Sequence, residues 1–266
     1  MLAGSRPRVY TFLSATSGEE KGAMLVNLGA SLAQAGSDVL MLDACMTSEG
    51  VASRLDAMAG ATLQQVASQE RALDEIIQPM AQGFGMATLM RGAQRSMALD
   101  AQQVQRLSNV FDLLVAQAGI VVVDAELGRE DMFPLPALAN SEIVVQVSTS
   151  PESITAAYSI IKRLNGELGR RPCGVLVTGA SEKEAQVVYQ NMAKAASRYL
   201  AVQLHSMGSV PADEHLTRAA RLGRAVIDAF PLAGASVAFR RLAGRFAVPE
   251  MSSGELHGIS AGMADA

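Results

Sequence analysis

Residues 9–29 read VYTFLSATSGEEKGAMLVNLG: an apolar run, a polar loop containing glycine, and an amphipathic segment. Val9–Leu13 has the length and composition of a buried strand. From Ala23 to Ala35, leucines recur at the spacing of one helix face, and Gly36 is a suitable stop for that helix. A strand that passes through a short polar loop into a helix is the first half of a βαβ unit, so this stretch predicts a parallel sheet.

The same alternation of short apolar runs and longer helical patterns continues along the chain. Further strands are predicted at Val39–Leu42, Gly85–Leu89, Ile120–Val123, Ile143–Val147, Gly174–Val177 and Gln203–Ser209. Helices are predicted at Leu63–Val66, Ala72–Met80, Asp100–Leu114, from Pro151 or Ser153 to Leu168, and at Lys183–Tyr199, Glu214–Leu222 and Ala235–Phe246. The pattern predicts an α/β fold with a doubly wound, mostly parallel sheet and helices on both faces. One domain is expected over residues 1–248, followed by a Gly/Ser-rich tail, residues 249–266, predicted to be disordered.

Composition restricts the classes of function. Of the 266 residues 49% are hydrophobic but only 4% are aromatic, so an aliphatic core is expected. The net charge of -4 gives no general field that attracts nucleic acid. The two cysteines, Cys45 and Cys173, lack the spacing of a zinc site or a disulfide framework, and the three histidines, at positions 205, 215 and 257, lack metal-ligand spacing. A cytoplasmic protein that does not bind nucleic acid directly is expected.

Several stretches together resemble the MinD/ParA family of deviant P-loop ATPases. The resemblance rests on the loop from Ser14 to Lys21, the strand that ends at Asp43 and the strand that ends at Asp124, and it covers roughly residues 8–246. Within that family the chain is similar to the bacterial flagellar-number regulators of the FlhG/FleN group. Two stretches carry this likeness: Gly208-Ser-Val-Pro-Ala-Asp-Glu214, which many MinD-like proteins share, and Arg224-Ala-Val-Ile-Asp-Ala-Phe-Pro231, which is more specific to the subgroup.

The phosphate-binding loop departs from the pattern G-x-x-x-x-G-K-S/T. Gly18 and Lys21 remain in register. The altered positions are Ala15 for the first Gly, Thr16 for the family's additional Lys, Glu20 for the Gly before Lys21, and Gly22 for the hydroxyl that holds Mg²⁺. The loop therefore offers one lysine beside two carboxylates to a polyanion, which disfavours tight ATP binding.

The same loop matches a helix-capping pattern. Ser17-Gly-Glu-Glu20 fits the S-x-x-E capping box, with Ser17 as N-cap and Glu20 at N3. Carboxylates in the first turn also suit the helix dipole. This interpretation predicts that the chain itself satisfies the helix N-terminus that would otherwise attract an anionic ligand.

The resemblance implies which residues would contact a nucleotide, if one is bound: Gly18, Lys21, Asp43, Asp124, Pro211 and Asp213. Asp43 and Asp124 match the family's catalytic positions, although the second acidic position is Cys45 and Thr178 stands where a purine-contacting Asn is usual. Acidic residues at strand ends also serve as structural caps. No catalytic residue and no metal ligand is assigned, loss of ATP hydrolysis is expected, and no cofactor is predicted, with ATP/Mg as the alternative.

The resemblance further implies partners. A flagellar transcriptional activator or the signal-recognition-type GTPase that places flagella is the expected protein partner. The alternatives are a weakly active ATPase of the same family and a partitioning or polysaccharide-synthesis accessory protein. In this family the additional loop Lys reaches the nucleotide of the partner subunit in an ATP-dependent dimer. Thr16 stands at that position and has no charge, so the oligomeric state is left open.

The last predicted helix has two interpretations. Its apolar residues alternate with arginines: Val237, Phe239, Leu242 and Phe246 among Arg240, Arg241 and Arg245. It is either the closing helix of the domain or a weak membrane contact that gives peripheral location at the inner membrane or the cell pole.

Overall fold

The protein forms an eight-stranded sheet with helices on both faces. The computed structural model describes residues 8–57, 59–128 and 131–247. Its strands are β1 Arg8–Ser14, β2 Val39–Ala44, β3 Gln78–Pro79, β4 Gly85–Thr88, β5 Ile120–Ala125, β6 Glu142–Val147, β7 Cys173–Thr178 and β8 Leu204–Val210. They are arranged in the order β3-β4-β2-β5-β1-β6-β7-β8, and every adjacent pair except β3 with β4 is parallel. The predicted doubly wound, mostly parallel α/β fold is confirmed.

The α-helices of the described residues are α1 Gly18–Gln34, α2 Val51–Arg54, α3 Leu63–Ala67, α4 Ala101–Val115, α5 Pro151–Leu168, α6 Glu182–Leu200, α7 Glu214–Arg221, α8 Val226–Ala229 and α9 Gly234–Ala247. Short 3₁₀ turns occur at Leu73–Glu75, Gly92–Ser96 and Pro136–Asn140. Neither α2 nor α8 was predicted; each is four residues long and has no side-chain hydrogen bond at its N-cap.

The sheet is buried on both faces, which is why its central strands are continuous apolar runs. Helices α3 to α6 cover the face that presents Leu13, and helices α1, α2 and α7 to α9 cover the face that presents Phe12. Because the central strands are parallel, the loops that follow β1, β2, β5, β6 and β7 meet at one edge of the sheet. Ligands bind at this edge in doubly wound folds.

The prediction of a helix over Ala72–Met80 is wrong. A single 3₁₀ turn, Leu73–Glu75, precedes the edge strand β3, which pairs antiparallel with β4. Pro79 lacks an N–H group and cannot continue a helix, but it is tolerated on an edge strand. Gly83, with φ of +90°, then supplies the left-handed turn into β4.

The last helix closes the domain. Phe239, Leu242 and Phe246 are buried, and the ring of Phe246 lies edge-on to Tyr10 with centroids 4.7 Å apart. Only Val237 of the four apolar residues is exposed. Most of the side chains that an interfacial anchor would need are therefore used in the core. Among the described residues, no helix is both long enough and apolar enough to span a membrane. The predicted tail, residues 249–266, lies outside the described part of the chain.

Candidate functional site

Helix α1 caps itself as the sequence predicts. The backbone N–H of Glu20 donates to Ser17 Oγ at 3.2 Å, and the backbone N–H of Ser17 donates to Glu20 Oε2 at 3.4 Å. This capping starts the helix at Gly18, ahead of the predicted Ala23. The carboxylate of Glu20 thus occupies a helix N-terminus that in other proteins can receive an anion.

Lys21 points into the protein. Its side chain is only 5% exposed, and its ammonium Nζ lies 2.6 Å from Asp124 Oδ1 and 3.1 Å from the carbonyl oxygen of Ala125. Burial disfavours the charged ammonium, but attraction to Asp124, with a smaller contribution from Glu126, outweighs burial and raises the pKa of Lys21 above its ordinary value. Lys21 is therefore a buried cation with a partner on β5.

Two carboxylates end neighbouring strands beside this cation. Asp43 on β2 and Asp124 on β5 are register partners, and both are fully buried. Helix α2 closes over them, since the N–H of Val51 donates to Asp124 Oδ2 at 2.8 Å and the N–H of Ala52 donates to Asp43 Oδ2 at 3.1 Å. Asp43 Oδ1 accepts from the N–H of Cys45 at 3.0 Å.

Lys21, Asp43, Cys45 and Asp124 form what we call the buried cluster. Burial, and then the neighbouring charge of Asp124, raise the pKa of Asp43 to about 6. Burial also raises the pKa of the Cys45 thiol. Cys45 is therefore a neutral thiol and not an activated nucleophile.

Gly50 allows the segment before α2 to lie directly on Asp43. A Cβ atom added at residue 50 would stand 2.2 Å from Asp43 Oδ2 and 2.3 Å from Asp43 Oδ1, closer than any real contact. We expect Gly50→Ala to lower the free energy of unfolding by about 1–3 kcal/mol through overpacking, measured by urea denaturation.

Gly166→Ala is the matched control for that substitution. Gly166 lies in α5, and an added Cβ would contact nothing within 4 Å. Its replacement should leave stability unchanged or raise it by up to about 1 kcal/mol. Equal stability of Gly50→Ala and the unaltered protein would contradict the close approach of residue 50 to Asp43.

The buried cluster fits a magnesium nucleotide poorly. One ligand atom each from Asp43, Cys45 and Asp124 lies within 4.8 Å of the others, a spacing that can hold a cation. The Lys21 ammonium already supplies positive charge there, and among the described residues Asp124 Oδ1 has no hydrogen-bond donor besides it. Gly22 offers no hydroxyl, and an added Cβ at residue 22 would lie 3.0 Å from Arg54 Cδ.

A cavity of about 670 Å³ lies beside the cluster, between α1 and α7. Its lining includes Glu19, Glu20, Thr178, Pro211 and Asp213. Both carboxylate oxygens of Asp213 accept hydrogen bonds from the backbone. Oδ1 accepts from the N–H of His215 at 2.9 Å, and Oδ2 accepts from the N–H of Ala235 at 2.9 Å. Burial would raise the pKa of Asp213, but these hydrogen bonds outweigh it and lower the pKa.

The predicted site residues thus fall into two places. Lys21, Asp43 and Asp124 meet in the buried cluster, whereas Pro211 and Asp213 line the cavity. Gly18 starts α1, and an added Cβ there would lie 3.0 Å from Glu49 Oε2. Their roles in nucleotide binding stay predictions.

Sequence reasoning missed Gln146, which lies on β6, is fully buried and lines the same cavity. Its amide Nε2 donates to Thr16 Oγ1 at 3.2 Å and to Thr178 Oγ1 at 3.4 Å, so it ties the altered loop to β7. A single glutamine within the apolar run 143–147 was the available signal. The helix α2 amides were missed because backbone donors leave no signature in residue types.

Two histidines, His205 and His215, lie in the described part of the chain, and each contacts one carboxylate. His205 contacts Glu142 at 3.2 Å and His215 contacts Asp213 at 2.7 Å, each as a pair. Within the described ranges, the buried Asp43, Cys45 and Asp124 are the group of potential metal ligands that comes together. His257 lies outside those ranges.

Comparison with known proteins identifies relatives of the whole fold. The chain is 31% identical over 219 residues to the antiactivator FleN of Pseudomonas aeruginosa PAO1, covering 82% of this chain and 78% of that protein. The MinC:MinD cell division complex of Aquifex aeolicus is similar at a TM-score of 0.66 and 17% identity, covering 91% of this chain and 97% of the other. A ParA family ATPase from Chlorobium tepidum TLS is similar at a TM-score of 0.65 and 16% identity, covering 89% and 97%. No protein-family model matches the chain.

Proposed function

The chain belongs to the FleN group of the MinD/ParA family, and from that premise we propose that it regulates flagellar number and placement through protein contacts, without ATP hydrolysis. The observation that carries the proposal is the buried ion pair between Lys21 and Asp124. This ion pair joins two of the charged side chains that, by the family resemblance, would contact a bound nucleotide.

The energetic argument concerns what a nucleotide would have to displace. Binding of a phosphate to Lys21 requires its separation from Asp124, which would leave a carboxylate in the interior without its cation. Separation of a buried pair costs several kcal/mol unless a new cation replaces the old one. A magnesium ion could replace it, but Gly22 lacks the hydroxyl ligand and Glu20 adds negative charge at the loop.

Protein contact is the mode of action that remains when the nucleotide switch is lost. FleN is named an antiactivator, and the MinD structure is a complex with the protein MinC. By analogy we propose a transcriptional activator of flagellar genes as the partner of this chain, acting in the cytoplasm. The signal-recognition-type GTPase that places flagella is the second candidate.

The cavity beside the loop favours one alternative function. Its volume of about 670 Å³ is within the range of small-molecule sites, and Thr178 and Pro211 line it. A weakly active ATPase that binds its nucleotide in an unusual way would use this space.

The experiment is deletion of the gene followed by complementation. We expect deletion to change flagellar number or placement, counted by electron microscopy. We also expect complementation by the paired substitution Lys21→Met with Asp124→Asn, which removes both charges and leaves an acceptor for the N–H of Val51. Protein levels and thermal unfolding of the variant serve as controls.

Two results would contradict the proposal in different ways. Normal flagella in the deletion strain would exclude the flagellar process and favour a partitioning or polysaccharide-synthesis role. A folded, normally expressed paired variant that behaves like the deletion would show that the altered loop still acts as a nucleotide switch.

A further inference from the structure

Three arginines from different parts of the C-terminal region converge on one short segment, Asp228–Pro231. The guanidinium of Arg218, on α7, lies 5.0 Å from the centroid of the Phe230 ring. Arg224 donates from Nη2 to the carbonyl oxygen of Asp228 at 3.0 Å. Arg240, on α9, donates from Nη1 to the carbonyl oxygen of Pro231 at 2.8 Å. We call these residues the arginine triad.

These contacts orient the guanidinium groups but leave their charge in place. Carbonyl oxygens and a ring face are not anions. Among described carboxylates, only Glu214 is within ion-pair distance of the triad, 3.8 Å from Arg218, and both of those side chains are more than half exposed. Such an exposed pair contributes little to stability and is readily exchanged. The triad therefore presents net positive charge to solvent.

The charge stands out against the rest of the chain. Residues 214–247 contain six arginines and two acidic residues, a net charge of +4, in a protein whose net charge is -4. Of the other three arginines, Arg241 pairs with Glu182, Arg245 donates to the carbonyl oxygen of Ser206, and Arg221 lines the cavity. The arginine triad is the remaining part of this basic region, and its three side chains are exposed.

An exposed apolar side chain adjoins the triad. Leu232, directly after the segment, is 93% exposed, and no other large hydrophobic side chain in the described residues is as exposed. Phe230 is half-buried, with its ring 4.7 Å from that of His215 and a guanidinium above it. Arginine and aromatic residues held in place are typical of the residues that dominate protein interfaces, because little freedom is lost on binding.

We propose that the arginine triad with Phe230 and Leu232 is a docking surface for an acidic protein segment that also carries apolar side chains. The inference rests on the proposed function, since it names the surface through which protein contact is made. The carboxylates would pair with the three guanidinium groups, and an apolar side chain would cover Leu232.

A protein segment fits this surface better than a polyphosphate or a membrane. The face is small, and the acidic residues Glu214 and Asp228 interrupt it. The whole protein, at a net charge of -4, repels an extended polyanion at long range. A short segment with a few carboxylates can match three arginines without approaching the acidic remainder.

The test uses synthetic probes of defined chemistry. One is a fluorescein-labelled helical peptide of glutamate and leucine, and the other has glutamine in place of every glutamate. Fluorescence anisotropy with the full chain should show binding of the acidic peptide only, weakening as salt is raised. Arg218→Glu with Arg240→Glu should weaken binding at least tenfold, and Leu232→Ala should weaken it by a smaller factor.

A matched pair of arginines on the opposite face provides the control. Arg106 on α4 and Arg170 after α5 are exposed, so Arg106→Glu with Arg170→Glu changes net charge equally without touching the triad. Thermal unfolding checks that each variant folds. If Arg218→Glu with Arg240→Glu does not fold, the neutral variant Arg218→Gln with Arg240→Gln is used in its place.

Three results of the binding experiments would overturn the docking proposal, and one further result separates it from the proposed function. Equal loss in the control pair would mean that only net charge matters, and equal binding of both peptides would exclude recognition of carboxylates. Binding of phosphatidylglycerol vesicles or duplex DNA through the triad, without binding of the acidic peptide, would assign the surface to lipid or nucleic acid. A deletion strain with normal flagella would contradict the proposed function and leave the peptide result intact.

Discussion

Replacement of Lys21 by methionine is expected to lower the free energy of unfolding by about 3–5 kcal/mol, the typical cost of removing one partner from a buried ion pair. The substitution would retain most of the side-chain volume but leave the fully buried Asp124 carboxylate without its cation. The apolar volume of the core is unchanged, so the effect would arise from charge. Urea denaturation at neutral pH measures it.

Two comparisons isolate the electrostatic origin of this effect. Lys162 is exposed on α5, and Lys162→Met should change stability by less than about 0.5 kcal/mol. The paired substitution Lys21→Met with Asp124→Asn should recover much of the lost stability, because residue 124 then no longer carries a buried charge without a partner. If Lys21→Met is as stable as Lys162→Met, the ion pair with Asp124 does not hold the site closed.

Restoration of the phosphate loop is expected to raise the affinity for MgATP by at least tenfold. We expect the unaltered protein to bind MgATP with a dissociation constant weaker than about 100 µM. Glu20→Gly with Gly22→Thr removes a negative charge, returns the glycine before Lys21 and supplies a hydroxyl for magnesium. Arg54 must move aside, since its Cδ lies 3.0 Å from where Cβ of residue 22 would stand. Isothermal titration calorimetry measures the change.

The same double substitution should lower the thermal midpoint without ligand. It removes the hydrogen bond from the Ser17 N–H to the Glu20 carboxylate and places a glycine in the first helical turn, a combined loss of about 1 kcal/mol, while the backbone N–H of residue 20 still donates to Ser17 Oγ. Glu20→Gln is the matched control, because glutamine at N3 preserves the capping box while the charge is lost. Low-micromolar binding by the unaltered protein, lost in Lys21→Met, would contradict the expectation. A double variant unchanged in affinity and stability would mean that the loop is aligned incorrectly.

Local features of this protein were predictable from sequence because neighbours in the chain produce them. The capping box at Ser17 depends on residues three apart, and the stop at Gly36, where φ is +89°, depends on one residue that lacks a Cβ. The alternation of apolar runs and helical spacing predicted the α/β fold and most of its elements. The failure at Ala72–Met80 came where an edge strand, two residues long, depends on pairing with β4.

The state of the candidate site was decided only by tertiary structure. Lys21 and Asp124 are more than 100 residues apart in the chain, yet the parallel register of β1, β2 and β5 places both at one edge of the sheet. The sequence showed a lysine retained in an altered loop, but not that a carboxylate and a carbonyl hold it inside. Likewise the sequence gives no sign that Gly50 differs from other loop glycines, whereas in the structure a Cβ added at residue 50 would stand 2.2 Å from Asp43 Oδ2. Residue types predict local conformation, whereas partners of a buried charge depend on which distant strands the fold makes adjacent.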